Sequence, residues 1–183
     1  MTRRPHAAII AAIVALSAAL PLSAAVAGAR VYTDAEILGV VAAANQGAMD
    51  AAALAVGKSQ IRAVKKLAKL MRKDHGSIKN RLIDAEARTG LAPIDTDLSL
   101  SLAKHATEEN AQLGYLKGDE FDGPYVDAQV SDHETLIRVI DLDLLPSAKD
   151  ASVASLLRKL RSTDAHHLAM ARDLEKKFVR PKR

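Results

Sequence analysis

The chain contains no cysteine and no tryptophan, and its only aromatic residues besides histidine are three tyrosines and two phenylalanines. Without cysteine there can be no disulfide, no thiolate metal site and no thiol nucleophile. So few aromatic rings leave no platform for stacking single-stranded bases. Neither sign of charge dominates. The formal net charge is +4, and losing Arg3 and Arg4 with a leader would leave about +2. Nucleic acid is therefore not an expected partner, and Lys65, Lys66, Lys69, Arg72 and Lys73 read as the solvated face of a helix. The nine glycines are scattered, so no loop is built to cradle phosphate. No useful length of strand-like alternation and no internal repeat occurs.

What is present begins with a leader. Arg3 and Arg4 precede an apolar stretch from Ala7 to Leu20, Pro21 breaks it, and Ala25-Val26-Ala27 supplies a small-residue cleavage site. Residues 1–27 are therefore expected to be a secretory signal peptide. The stretch is too short and too rich in alanine for a membrane span. The mature protein is expected to be periplasmic or secreted, with no stable membrane insertion after cleavage. Residues 28–183 should form a single domain with its core at about 32–178.

Helical periodicity fills that domain. Thr33-Asp34-Ala35-Glu36 is a capping box that opens a first helix to about Val56. Its inner face carries Ile37, Val41, Ala44, Ala48, Ala52 and Ala55, small enough for a neighbour to approach closely. A second helix, about Gln60 to Arg88, repeats Val64, Leu67, Met71, Ile78, Leu82 and Ala85 at helical spacing and ends at Thr89-Gly90. The weaker pattern from Leu91 to Gly118 allows one shorter helix in a long crossover. A third long helix is expected from about Glu120 to Leu145, stopped by Pro146; Pro146 to Asp150 is a short turn, and a fourth helix follows it to about Phe178. The fold class is all-α: two helical hairpins joined by a long crossover.

Polar residues interrupt the inner faces at one depth. Asn45, His75, His133 and His167 each fall near the middle of their own helix, and Asp164 and His167 lie one turn apart inside the last apolar stripe. Asp74 sits at the edge of its stripe, Gln129 lies one turn from His133, and Asp50 and His166 point outward. With the helices level, these residues share one central layer. One outcome is a hydrogen-bonded polar layer in which His75, His133 and His167 pair with Asp164, Gln129 and Asn45 and fix helix register. The other is ligation of a divalent transition metal, Zn, Fe, Mn or Cu, by His75, His133, Asp164 and His167, with Asn45, Asp74 and Gln129 behind them. Di-iron bundles place a carboxylate-x-x-His pair on two helices and a lone Glu on two more. Here there is one such pair, and the inner face of helix one offers no carboxylate. Ser-His-Asp catalysis needs an exposed nucleophile beside a base, and no inward serine accompanies these histidines. Asp119 to Asp122 read as acidic residues at a helix start, suited to capping and to the helix dipole.

Several segments also resemble the bacterial domain-of-unknown-function 4142 family, exported ferritin-like helical proteins often labelled outer membrane proteins. They are Asn45-Gln46-Gly47-Ala48-Met49, Val64 through Met71-Arg72-Lys73-Asp74-His75, Gly118-Asp119-Glu120-Phe121-Asp122 with Tyr125, Gln129-Val130 and His133, and His167-Leu168-Ala169-Met170-Ala171. The resemblance spans about Tyr32 to Phe178. It implies a ferritin-like four-helix bundle with histidines on the second, third and fourth long helices. The chain departs from the family pattern at Ala51 and Ala53, where a Glu is common, and at Arg161-Ser162, where Leu-Pro is common. No β-barrel is expected, since barrels need many alternating strands.

These observations lead to an exported, soluble bundle with a central His-rich polar layer, no assigned catalytic residue, and a binding or envelope-stress-related role. Metal storage, buffering or oxidation is the alternative. A homo-oligomer or an envelope protein is the expected class of partner.

Overall fold

A computed structural model of the chain describes residues 30–179; the expected signal peptide, residues 1–27, lies outside the described residues. The described residues are helical, with no strand among them. Helix α1 runs Asp34–Lys58, α2 Arg62–Thr89, α3 Asp97–Tyr115 and α4 Asp119–Val139. A π-helical turn, Ile140–Leu144, and a short helix α5, Leu145–Ser147, continue α4, and α6 runs Ala151–Val179. Helices α1 and α2 form one hairpin and α4 and α6 the other, joined face to face through α2 and α6. The crossover helix α3 lies against α1. This is the two-hairpin bundle with one long crossover expected from the sequence.

Local chemistry places the helix ends. The Thr33 hydroxyl accepts from the Glu36 amide while the Glu36 carboxylate accepts from the Thr33 amide at 2.8 Å, the expected capping box. A second box, Thr96 with Ser99, opens α3. The sequence reading missed it because Ser stands where Glu or Gln is usual. Gly90 ends α2 in the left-handed conformation, with φ of 68°, where a side chain would be strained. The third long helix does not simply stop at Pro146. In a regular helix the proline ring would collide with the carbonyl of Leu142. The chain instead widens into the π turn just before it, where the Leu145 amide reaches back to the Ile140 carbonyl. The acidic residues Asp119, Glu120 and Asp122 occupy the first turn of α4 as expected for the dipole, yet none caps it; the cap position is Gly118.

The core divides in two. At one end Ile37, Leu38, Val41, Ile78, Ile140 and Leu157 belong to one buried cluster. At the other Ala52, Leu67, Met71, Phe121, Tyr125 and Ala171 belong to a second. All six apolar residues predicted for the inner face of α2 are buried. Between the clusters lie Asn45, His75, Gln129, His133, Asp164 and His167, all buried. The polar layer expected from helix midpoints is thus a real break in the core.

Small residues on α1 set how closely the crossover approaches. A Cβ on Gly39 would sit 2.1 Å from the Ile94 carbonyl oxygen, and the Ile94 amide donates to the Ala35 carbonyl at 3.0 Å. A Cβ on Gly47 would sit 2.7 Å from that of Ala106. Helices α1 and α4, by contrast, hardly touch. The seam between them lies under α3 and opens into a cleft of about 370 Å³.

Candidate metal centre

Each histidine of the layer is anchored on its outer side. The Asn45 amide group donates to the His75 backbone carbonyl at 3.1 Å, which turns its oxygen toward His75 Nδ1 at 2.9 Å. Because that oxygen can only accept, Nδ1 carries the proton and Nε2 keeps its lone pair. His133 Nδ1 lies 2.7 Å from the Gln129 backbone carbonyl, one turn earlier, which fixes the same tautomer. His167 Nε2 lies 3.1 Å from an oxygen of Asp74 on α2, so its free lone pair is on Nδ1.

The inner side is left open. His75 Nε2, His133 Nε2, His167 Nδ1 and both oxygens of Asp164 are buried without a hydrogen-bond partner. Donor atoms of these four residues all lie within 4.8 Å of one another. The ring centroids of the three histidines are 5.3 to 6.2 Å apart. The nearest approach between His75 Nε2 and Asp164 Oδ1 is 3.8 Å, too long for a hydrogen bond. The closed hydrogen-bonded layer foreseen as one outcome is therefore only half made. Asn45 does hold His75, but Gln129 serves His133 through its backbone, and His167 turns to Asp74 instead of Asp164. The Gln129 side-chain nitrogen is itself buried without a partner.

Burial sets the charge state. Loss of hydration, with His133 and His167 close by, holds His75 down to about 3. Burial lowers His133 to about 4 against the pull of the Gln129 carbonyl. His167 is lowered by burial and partly restored by Asp74. Burial raises Asp164 to about 8. At neutral pH the layer therefore carries three uncharged imidazoles and a protonated carboxyl, and His75 and Asp164 do not form an ion pair.

Such a set suits a metal cation. Buried polar groups left without partners cost roughly 1–3 kcal/mol each, and a cation would satisfy these four side chains together while drawing the proton from Asp164. One of these separations, His75 Nε2 to Asp164 Oδ1, is 3.8 Å, close to the roughly 3.4 Å between donors that share one ion at bonds of about 2.1 Å. Imidazole and carboxylate donors without sulfur fit Zn, Fe(II), Mn(II) or Cu(II). The outer hydrogen bonds are of the kind that orient ligating histidines.

The layer is also reachable. His75, His133, Asp164 and Gln129 line the cleft between α1 and α4. Its outer rim carries His105 and Glu109 of α3 and Asp132 of α4, a second group whose donor atoms lie within 4.8 Å of one another. Glu109 is raised to about 7, first by burial and then by Asp132 beside it. His105 and Glu109 belong to the crossover and Asp132 to α4, and no sequence motif links the three. Their convergence depends on α3 packing over α4, which no spacing within one helix reveals. Among the remaining candidates, His166 is exposed, as its position on the wheel predicted.

The family model for the domain of unknown function DUF4142 matches residues 19–174. The chain belongs to the DUF4142 family. Its fold is similar to that of a DUF305 protein from Streptomyces coelicolor, named as a predicted secreted protein, with a TM-score of 0.66. That likeness covers 79% of this chain and 92% of the other at 14% identity, and it concerns the fold alone. No curated protein matches this DUF4142 chain.

Proposed function

We propose that this DUF4142 protein is an exported metal-binding protein, in which His75, His133, Asp164 and His167 hold one divalent transition metal at the centre of the bundle. One observation carries the reading. Three histidines hand their N–H groups outward to fixed acceptors, and their unpartnered nitrogens converge with an unpartnered carboxyl on one buried point. A layer that served only helix register would gain more by pairing these atoms with one another. The metal would supply the positive charge that the buried Asp164 carboxylate lacks. Asn45, the Gln129 carbonyl and Asp74 orient the rings. The Gln129 amide, on the cleft wall, is available to a water bound beside them. No residue is assigned to catalysis; the role is capture and holding of metal outside the cytoplasm, after removal of the leader.

The test is thermal unfolding of chelator-treated protein with Zn, Mn, Fe(II), Co, Ni or Cu added one at a time. A metal at a hundredfold excess over its Kd should stabilise the fold by about 2.7 kcal/mol, or roughly 5–10 °C for a chain of this size. Asp164→Asn should lose the shift. No shift with any of these metals would overturn the proposal.

A further inference from the structure

A cation bound for the central layer must first lose its water, and most of the surface of the cleft leading there is apolar, with Ala44, Ala48, Leu98 and Leu136 on its walls. Stripping a divalent ion of its whole hydration shell against such walls is costly. The rim provides what the walls do not. His105 Nε2 lies 3.1 Å from Asp132 Oδ1 and 3.5 Å from Glu109 Oε2. Side-chain exposure falls from 58% at His105 through 35% at Asp132 to 19% at Glu109, so the group grades from solvent into the cleft. Helix α3 is held in register for this by Gly47, whose missing Cβ admits Ala106 beside His105. The rim is continuous with the floor. Asp132 precedes His133 on α4, and both line the cleft.

We propose that His105, Glu109 and Asp132 form a second, outer site for a divalent cation, which takes the ion from solvent and passes it down the cleft to the central layer. The inference rests on the central metal site proposed above. The ion takes the place of the N–H that His105 Nε2 shares with Asp132, the neutral imidazole keeping its proton on Nδ1 instead, and two carboxylates and the imidazole then replace part of the hydration shell at the mouth, where the ion can still exchange with water. The rim ion is therefore held more weakly than the central one, and its effect is on the rate of loading.

The experiment uses the metal-free mature chain and Co(II), whose visible absorption reports ligation, in stopped-flow mixing and in equilibrium titration. Wild type should take up one tightly held cobalt and, at higher concentration, a second. In the double variant His105→Ala/Glu109→Gln the tight cobalt should still bind fully, but its uptake should slow by about tenfold or more, the scale by which a charged cleft raises on-rates. Uptake within about twofold of wild type would overturn the outer site, since a rim that gathers cations must raise their rate of arrival. Failure of the central site has a different signature: Asp164→Asn would then bind cobalt as wild type does. In that event loss of binding in the double variant alone would keep the rim as a cation site, and no loss would remove it.

Discussion

Replacing Asp164 by Asn in the metal-free protein tests whether that carboxyl is protonated in the fold. Asp164 is fully buried with no hydrogen-bond partner, and burial raises it from 3.8 to about 8. In the unfolded chain it loses its proton near 3.8, whereas the folded chain keeps it to about 8. Across that window the folded state binds more protons, so raising the pH favours unfolding until about pH 8 is passed. Asn binds no proton in either state, and His75, His133, His167 and Glu109 titrate alike in both proteins and drop out of the difference. Between pH 6.5 and 8.5 the Asn variant should therefore gain about 2 kcal/mol on wild type, at about 1.4 kcal/mol per pH unit for one proton up to the folded pKa. Urea denaturation with chelator present at the two pH values measures it. A difference that does not change with pH, or that moves toward wild type, would mean that Asp164 is ionised and paired in the metal-free fold.

Three further outcomes are expected. Asn45→Ala removes the acceptor for His75 Nδ1 and the donor to its carbonyl, so it should cost about 1–3 kcal/mol in urea denaturation and weaken metal binding by about 10–100-fold in a competition titration. Gly39→Ala places a methyl against the Ile94 carbonyl, which must retreat; a loss of about 1–3 kcal/mol is expected in thermal unfolding, with faster proteolysis between α2 and α3. His166→Ala removes an exposed ring with no part in the centre, so stability should stay within about 0.5 kcal/mol and metal titration should be unchanged.

Much of this architecture is legible along single helices. The period of α2 identified its buried face because, apart from His75, the residues on that side pack into the two apolar clusters. The midpoints of four helices placed Asn45, His75, His133 and His167 at one depth because short turns keep the ends level. Reading within a helix failed where two elements decide the matter. Asp74 lies at the edge of its stripe, and only the packing of α6 on α2 brings His167 to it. Asp164, expected among the hydrogen-bonding partners, is instead left open by the same choice. The π turn at Ile140–Leu144 was hidden because a proline shows where a regular helix fails but not how the backbone avoids the clash. The cleft and its rim were invisible because they arise from a seam between α1 and α4 that α3 only partly closes. In Gly39 and Gly47 the signal was present: two glycines inside an otherwise regular helix mark where the Ile94 backbone and the Ala106 methyl approach.

Elemental analysis of the protein, purified from its native cells without a histidine tag, bears most directly on the central claim. Wild type should carry close to one equivalent of a single transition metal per chain, with the weaker rim ion lost on washing, and Asp164→Asn should carry none. Folded wild-type protein without metal, or equal metal in both proteins, would contradict the assignment of His75, His133, Asp164 and His167 as its ligands.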